Sequence, residues 1–241
     1  MKRTERHHLK ENELAHMAAS ARATFEEKGS QLKLIAIAVG AVLIIGIGYA
    51  FWSGRTQGRA GSMLAEAMAV QDARVGAPEA PGSRAAVPTF PNEREKQQAM
   101  LAKFKAVADQ FPDNDEGIFA RYREGGVHMA LGNAKDAAAS YQQVIGKSGE
   151  SLYGQIARLG LAEAQARSGE VDKAIETYKD LSTRKDGPLP VDGVLMQLGR
   201  LYRSAGKSAD AEQTFNRLVN EFPDSQFVTD AKRELDGIKK G

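Results

Sequence analysis

Three of the four histidines, His7, His8 and His16, lie close together near the start of this 241-residue chain. His8 and His16 are eight residues apart and would share a helix face, one way in which imidazoles are brought to a metal ion. No carboxylate is clearly placed among them and the chain has no cysteine, so a ligand set is not expected. The fourth, His128, falls on the inward side of its helix and reads as a core residue. No GxGxxG or phosphate-cradling loop, serine-centred elbow or paired-histidine zinc motif occurs. Gly125-Gly126 lies within a helical stretch, where close packing accounts for it better than phosphate binding. The carboxylates are interleaved with Lys and Arg, as on solvated helix faces. The residue types point to recognition, not catalysis. The chain is not expected to be an enzyme, and no cofactor is implied.

The elements that would position a recognition surface show in a repeat. Phe104, Tyr141, Tyr178 and Phe215 stand 37 positions apart. Gly132, Gly169 and Gly206 precede the last three by nine residues, and Ala137, Ala174 and Ala211 follow each glycine by five. Val144, Leu181 and Leu218 complete the pattern. The earlier copy keeps Phe104 and Val107 but has Glu95 and Met100 at the glycine and alanine positions. A fixed period of this size, with a glycine between two helical stretches, predicts an α-solenoid of helix pairs. The glycine leaves the first helix in a left-handed turn, the alanine permits close approach and the aromatic fills the gap.

The composition locates a membrane segment. Residues 34–54, LIAIAVGAVLIIGIGYAFWSG, carry no charge and are bounded by Lys33 and Arg55. Twenty-one helical residues span about 30 Å, the thickness of a hydrocarbon core. Tyr49, Phe51 and Trp52 cluster at one end, where amphipathic rings favour the interface. A cleaved signal peptide is the competing reading, but the leader is long and Phe51-Trp52 are poor neighbours for cleavage. Residues 1–33 hold seven basic and five acidic residues, so the whole net charge of +2 lies there. The positive-inside rule then puts a cytoplasmic tail (1–33) before the transmembrane helix (34–54) and the solenoid (55–241) outside. No nucleic-acid partner is expected. Within the tail, Leu14, Met17, Ala21 and Phe25 recur at helical spacing.

Beyond the span, residues 60–75 read as a helix. Residues 76–92, with Pro78, Pro81, Pro88 and Pro91, read as an exposed loop. A helix over about 93–110 completes the first pair. Further pairs are expected over about 115–147, 152–184 and 190–222, with a capping helix over 225–238. Asp113 or Asn114, and Asp224 or Ser225, supply helix-capping chemistry.

The best copy, 194–225, has Leu198, Gly199, Tyr202, Gly206, Ala211, Phe215, Leu218 and Pro223 spaced as in the tetratricopeptide repeat, which it resembles. The wider layout is similar to the YfgM family of ancillary SecYEG translocon subunits: short tail, one anchor, a helix, an enlarged turn, then repeat pairs. That resemblance implies a bacterial inner-membrane protein, N-terminus cytoplasmic and solenoid periplasmic. The partners it implies are the translocon and the membrane-anchored periplasmic chaperone PpiD. The segment EFPDSQFVTDAKREL also resembles envelope-assembly proteins, but those are lipoproteins or cleaved periplasmic proteins, and a retained anchor without cysteine fits neither.

In the tetratricopeptide register the first helix of each pair lines the inner face. The implied groove residues are Phe119, Tyr122, Met129, Ile156, Leu159, Met196, Arg200 and Arg203. Some members clamp carboxylate tails with Lys and Asn, where this chain has Tyr122 and Gly126, so that activity is not carried over. What remains is an apolar and aromatic strip with a basic edge, suited to an amphipathic helix or an extended apolar segment. The expectation is an all-α fold: a tetratricopeptide-type α-solenoid preceded by a single transmembrane helix. It would bind proteins or peptides as a translocon-associated accessory factor. The alternative is a structural envelope scaffold, for outer-membrane assembly or cell division, that binds folded partners only.

Overall fold

The computed structural model describes residues 3–76, 89–184 and 187–240, with side chains at Lys33, Leu34 and from Ile37 onward. The side chains of the tail's histidines and of its apolar stripe, and residues 77–88 of the proline-rich segment, lie outside what is described. Two units are distinguished, Met1–Thr56 and Gln57–Gly241. Helix α1 (Arg3–Gln71) contains a stretch, Ile37–Gln71, that is long and apolar enough to cross a membrane, with mean hydropathy 1.9 over an 18-residue window. None of its apolar window is buried in protein. Within it the rings of Tyr49 and Trp52 lie 6.3 Å apart.

The second unit holds the repeats. Helices α2 (Glu93–Gln110), α3 (Asp115–Ala130), α4 (Ala134–Ser148), α5 (Leu152–Arg167), α6 (Val171–Thr183), α7 (Val191–Ser204), α8 (Ser208–Glu221) and α9 (Val228–Lys240) follow in order. The pairs α3/α4, α5/α6 and α7/α8 match the expected spans. Each first helix ends in the same way. Gly132, Gly169 and Gly206 have φ of 81°, 86° and 73°. The next residue's N–H reaches back five positions: Asn133 to His128 O, Glu170 to Gln165 O and Lys207 to Tyr202 O, at 2.8–2.9 Å. This bond needs the left-handed residue before it, which glycine enters without a Cβ penalty.

The first pair lacks that glycine and starts its second helix differently. Asn92 caps α2, accepting from Glu95 N at 2.9 Å while its amide donates to the Glu95 carboxylate at 2.9 Å. Glu95 therefore closes a reciprocal cap where later repeats turn on glycine. Between α1 and α2, β1 (Arg74–Val75) and β2 (Thr89–Phe90) pair in parallel, a two-residue bridge beyond the all-helical expectation. The capping helix starts at Val228, three residues later than expected. Ser225 instead shapes the turn before it, accepting from Phe227 N at 3.1 Å and donating to Asp192 at 2.5 Å.

Packing follows the repeat chemistry. A Cβ on Gly125 would lie 2.7 Å from the Tyr141 ring and one on Gly160 2.6 Å from the same ring, so Tyr141 sits in a slot made by two glycines. Three apolar clusters form in series. Phe104 and Val107 sit in the first, Tyr141 and Val144 in the second, and Tyr178 and Phe215 in the largest, around α6–α9. Each helix pair completes its core with its neighbour, as quasi-one-dimensional solenoids require.

Candidate protein-docking face

The eight expected groove residues do not form one strip. Phe119 on α3 and Ile156 on α5 are half-buried and belong to none of the three cores. Phe119 meets Tyr153 edge-on at 6.0 Å. With Leu64, Asp115 and Glu116 these rings line an open cavity of about 320 Å³. Tyr122 and Leu159 are also half-buried but lean on core clusters, Tyr122 with its ring 5.8 Å from Tyr141.

The other four residues require correction. Met129 is buried among Tyr141, Ala157 and Leu161, because α5 packs against that side of α3. Met196 is fully buried in the core that α9 closes with Ala231 and Leu235. Arg200 and Arg203 are exposed but face acids of α9. Arg203 bonds Glu234, and Arg200 approaches Glu234 and Asp230 at 3.6 and 3.7 Å. The basic edge is thus answered by the capping helix. The apolar face left open is the part near α1, α3 and α5.

Two features of this face were not legible in the repeat pattern. Glu124 is buried where the later repeats have Leu161 and Leu198. Arg121 holds it at 2.6 Å and also bonds Asp109, whose carboxyl it keeps below the usual carboxylate range. His128 Nε2 lies 3.8 Å from Glu124, and its Nδ1 is buried with no hydrogen-bond partner. The core reading of His128 agrees with this placement. The only hint in the sequence is a carboxylate at an otherwise leucine register position. Secondly, Arg123 and Lys96 line a cavity of about 330 Å³ between the end of α1, α2 and α3. They come from different helices, so no local spacing couples them.

Comparison with known proteins agrees with this geometry. The model of the tetratricopeptide repeat-like domain family matches residues 29–238. No curated protein sequence matches the chain. Among solved structures, it is similar to TPR-like repeats described as those of a kinesin light chain from Podospora anserina (14% identity, 61% of this chain, 80% of that one, TM-score 0.54). It is also similar to MamA (16%, 63% and 85%, TM-score 0.51). A tetratricopeptide repeat protein from Parabacteroides merdae aligns over 61% of this chain and 56% of its own, at 18% identity and TM-score 0.50. At these identities the likeness establishes the fold alone. With helix pairs closed by the same glycine turn and a family match over most of its length, the chain belongs to the tetratricopeptide repeat-like domain family.

Proposed function

We propose that this protein is a membrane-anchored, protein-binding solenoid that acts as an accessory factor at the protein-translocation channel. Residues 34–54 hold it in a bacterial inner membrane with residues 1–33 in the cytoplasm and the solenoid in the periplasm. The face around Phe119 and Ile156 receives apolar segments of secreted clients or of a membrane-anchored chaperone. The observation that carries this reading is the pair itself: two apolar side chains on neighbouring first helices, half-buried and claimed by no core. Phe119, with Tyr153 and Leu64, lines an open cavity on this face, and exposed apolar patches mark interaction sites. Tethering near the channel raises the local client concentration, so a weak site suffices. The translocation role rests on the resemblance in layout. The family match begins at residue 29 and so takes in the apolar segment, which supports a solenoid carried on an anchor.

The envelope-scaffold alternative is favoured by one observation. Helix α9 takes Met196, Arg200 and Arg203 out of the inner face, leaving a short surface. Crosslinking of the full chain in native membranes to a nascent secreted protein separates the two readings. With Phe119 and Ile156 both changed to Glu, the client-binding reading expects the crosslink to disappear while helix content is unchanged. Equal yields from wild type and variant would instead support binding of folded partners only.

A further inference from the structure

The geometry points to a carboxylate-binding pocket between the end of α1, α2 and α3, which takes an acidic peptide side chain flanked by apolar residues. The inference rests on the protein-binding reading above and adds the chemistry of the segment bound. The pocket, about 330 Å³, is lined by Gln71, Lys96, Met100, Tyr122, Arg123 and Gly126 among others, and no carboxylate is among its lining residues. That volume is near the lower end for binding cavities, enough for one or two side chains.

Many cations of the solenoid are answered by an acid. Lys103 pairs with Glu66, Lys147 with Asp113, Arg158 with Glu150, and Lys207 with Asp172. Among the described residues, Lys96 and Arg123 have no acidic partner. The Arg123 guanidinium is fixed from two sides. It donates to Gln71 Oε1, and its central carbon lies 5.7 Å from the centroid of the Phe104 ring. Its Nε is buried with no hydrogen-bond partner. Because Arg123 lines the pocket, a carboxylate entering it would accept from the guanidinium without displacing an internal acid.

Gly126 gives a second, steric indication. Its neighbour Gly125 is needed by the Tyr141 ring, but a Cβ on Gly126 would meet nothing nearer than 3.8 Å. A helical glycine costs up to about 1 kcal/mol against alanine, and no packing requirement accounts for this one. What it does is leave the pocket open beside Tyr122. Met100 and Tyr122 then supply the apolar wall against which the flanking residues of a bound segment rest.

The test uses the full chain in lipid nanodiscs and fluorescein-labelled, C-terminally amidated peptides of alternating Leu and Glu, or of Leu and Gln, read by anisotropy. The Glu peptide should bind about tenfold more tightly than the Gln peptide, the scale of one charge-assisted hydrogen bond. The combined Lys96→Gln and Arg123→Gln change should erase the difference. Gly126→Leu, which fills the opening without touching charge, should weaken the Glu peptide selectively even if the Arg123 variant unfolds. A Gln peptide with a free C-terminal carboxylate distinguishes a chain end from a side chain. If it matches the Glu peptide, the acidic-side-chain assignment falls. Displacement of the Glu peptide by phosphatidylglycerol vesicles from wild type, but not from Gly126→Leu, would overturn the proposal in favour of a lipid phosphate. Equal binding of Glu and Gln peptides, both lost on changing Phe119 and Ile156 to Glu, would remove the pocket and leave the docking face. Binding of neither peptide, together with no client crosslink, would remove both.

Discussion

A Cβ on Gly199 of α7 would lie 2.4 Å from Cε1 of Phe215 on α8, closer than any real contact allows. The aromatic of this pair therefore rests directly on the backbone of its partner helix, and the glycine and ring form one unit. The middle pair holds Ala162 at the equivalent position, opposite Tyr178. Gly199→Ala should destabilise by about 1–3 kcal/mol, as overpacking does. Phe215→Ala should cost about 3–5 kcal/mol. Chemical denaturation of the two singles and the double variant checks the coupling. The double should cost less than the sum, because removing the ring makes room for the methyl. Strict additivity would show that the ring and the glycine do not share one slot.

Burial pushes the phenols of Tyr141 and Tyr178 up to about 12, from an ordinary value near 10. Between these values the unfolded chain has lost protons that the folded chain still holds. Stability therefore falls as pH rises through that window, and the two phenols add no pH dependence below it. Denaturant midpoints followed from pH 9 to about 12 should decline. Tyr178→Phe should remove its share of the decline, and an unchanged slope would contradict the burial of this ring.

Helix α9 should matter through its apolar face more than through its ion pairs. Glu234 meets Arg200 and Arg203, but the arginines are about half exposed, and such pairs are worth about 0–1 kcal/mol. Glu234→Gln is expected to change stability by less than that. Leu235→Ala, which removes a buried side chain from the terminal core, should cost about 2–5 kcal/mol. Thermal unfolding of the two variants ranks them, and the reverse order would mean that α9 is held by charge.

The proposed topology predicts a protease pattern. In right-side-out spheroplasts, added protease should digest residues beyond 55 and spare the N-terminal tail. Digestion of the solenoid only in inverted vesicles would reverse the orientation. Neutralising Lys28 and Lys33 should loosen the orientation only in part, since five basic residues of the tail remain.

The sequence by itself determined the repeat. A glycine that must enter φ near 80°, an alanine at a close approach and an aromatic at fixed offset leave local signatures, because each answers a backbone or volume constraint within one helix pair. The apolar segment was legible for the same reason, since length and absence of charge are properties of contiguous residues. Which inner-face residues stay open was decided only by tertiary structure. Met129 and Met196 are inner-face positions of their helices by register, as Phe119 and Ile156 are, yet α5 and α9 bury them. Arg200 and Arg203 read as a free basic edge until the acids of α9 meet them. Lys96 and Arg123 become neighbours of one cavity only because α2 and α3 pack side by side. Repeat register fixes the direction in which a side chain points from its own helix. Whether another helix meets it there depends on contacts between residues distant in the chain, which no local spacing encodes.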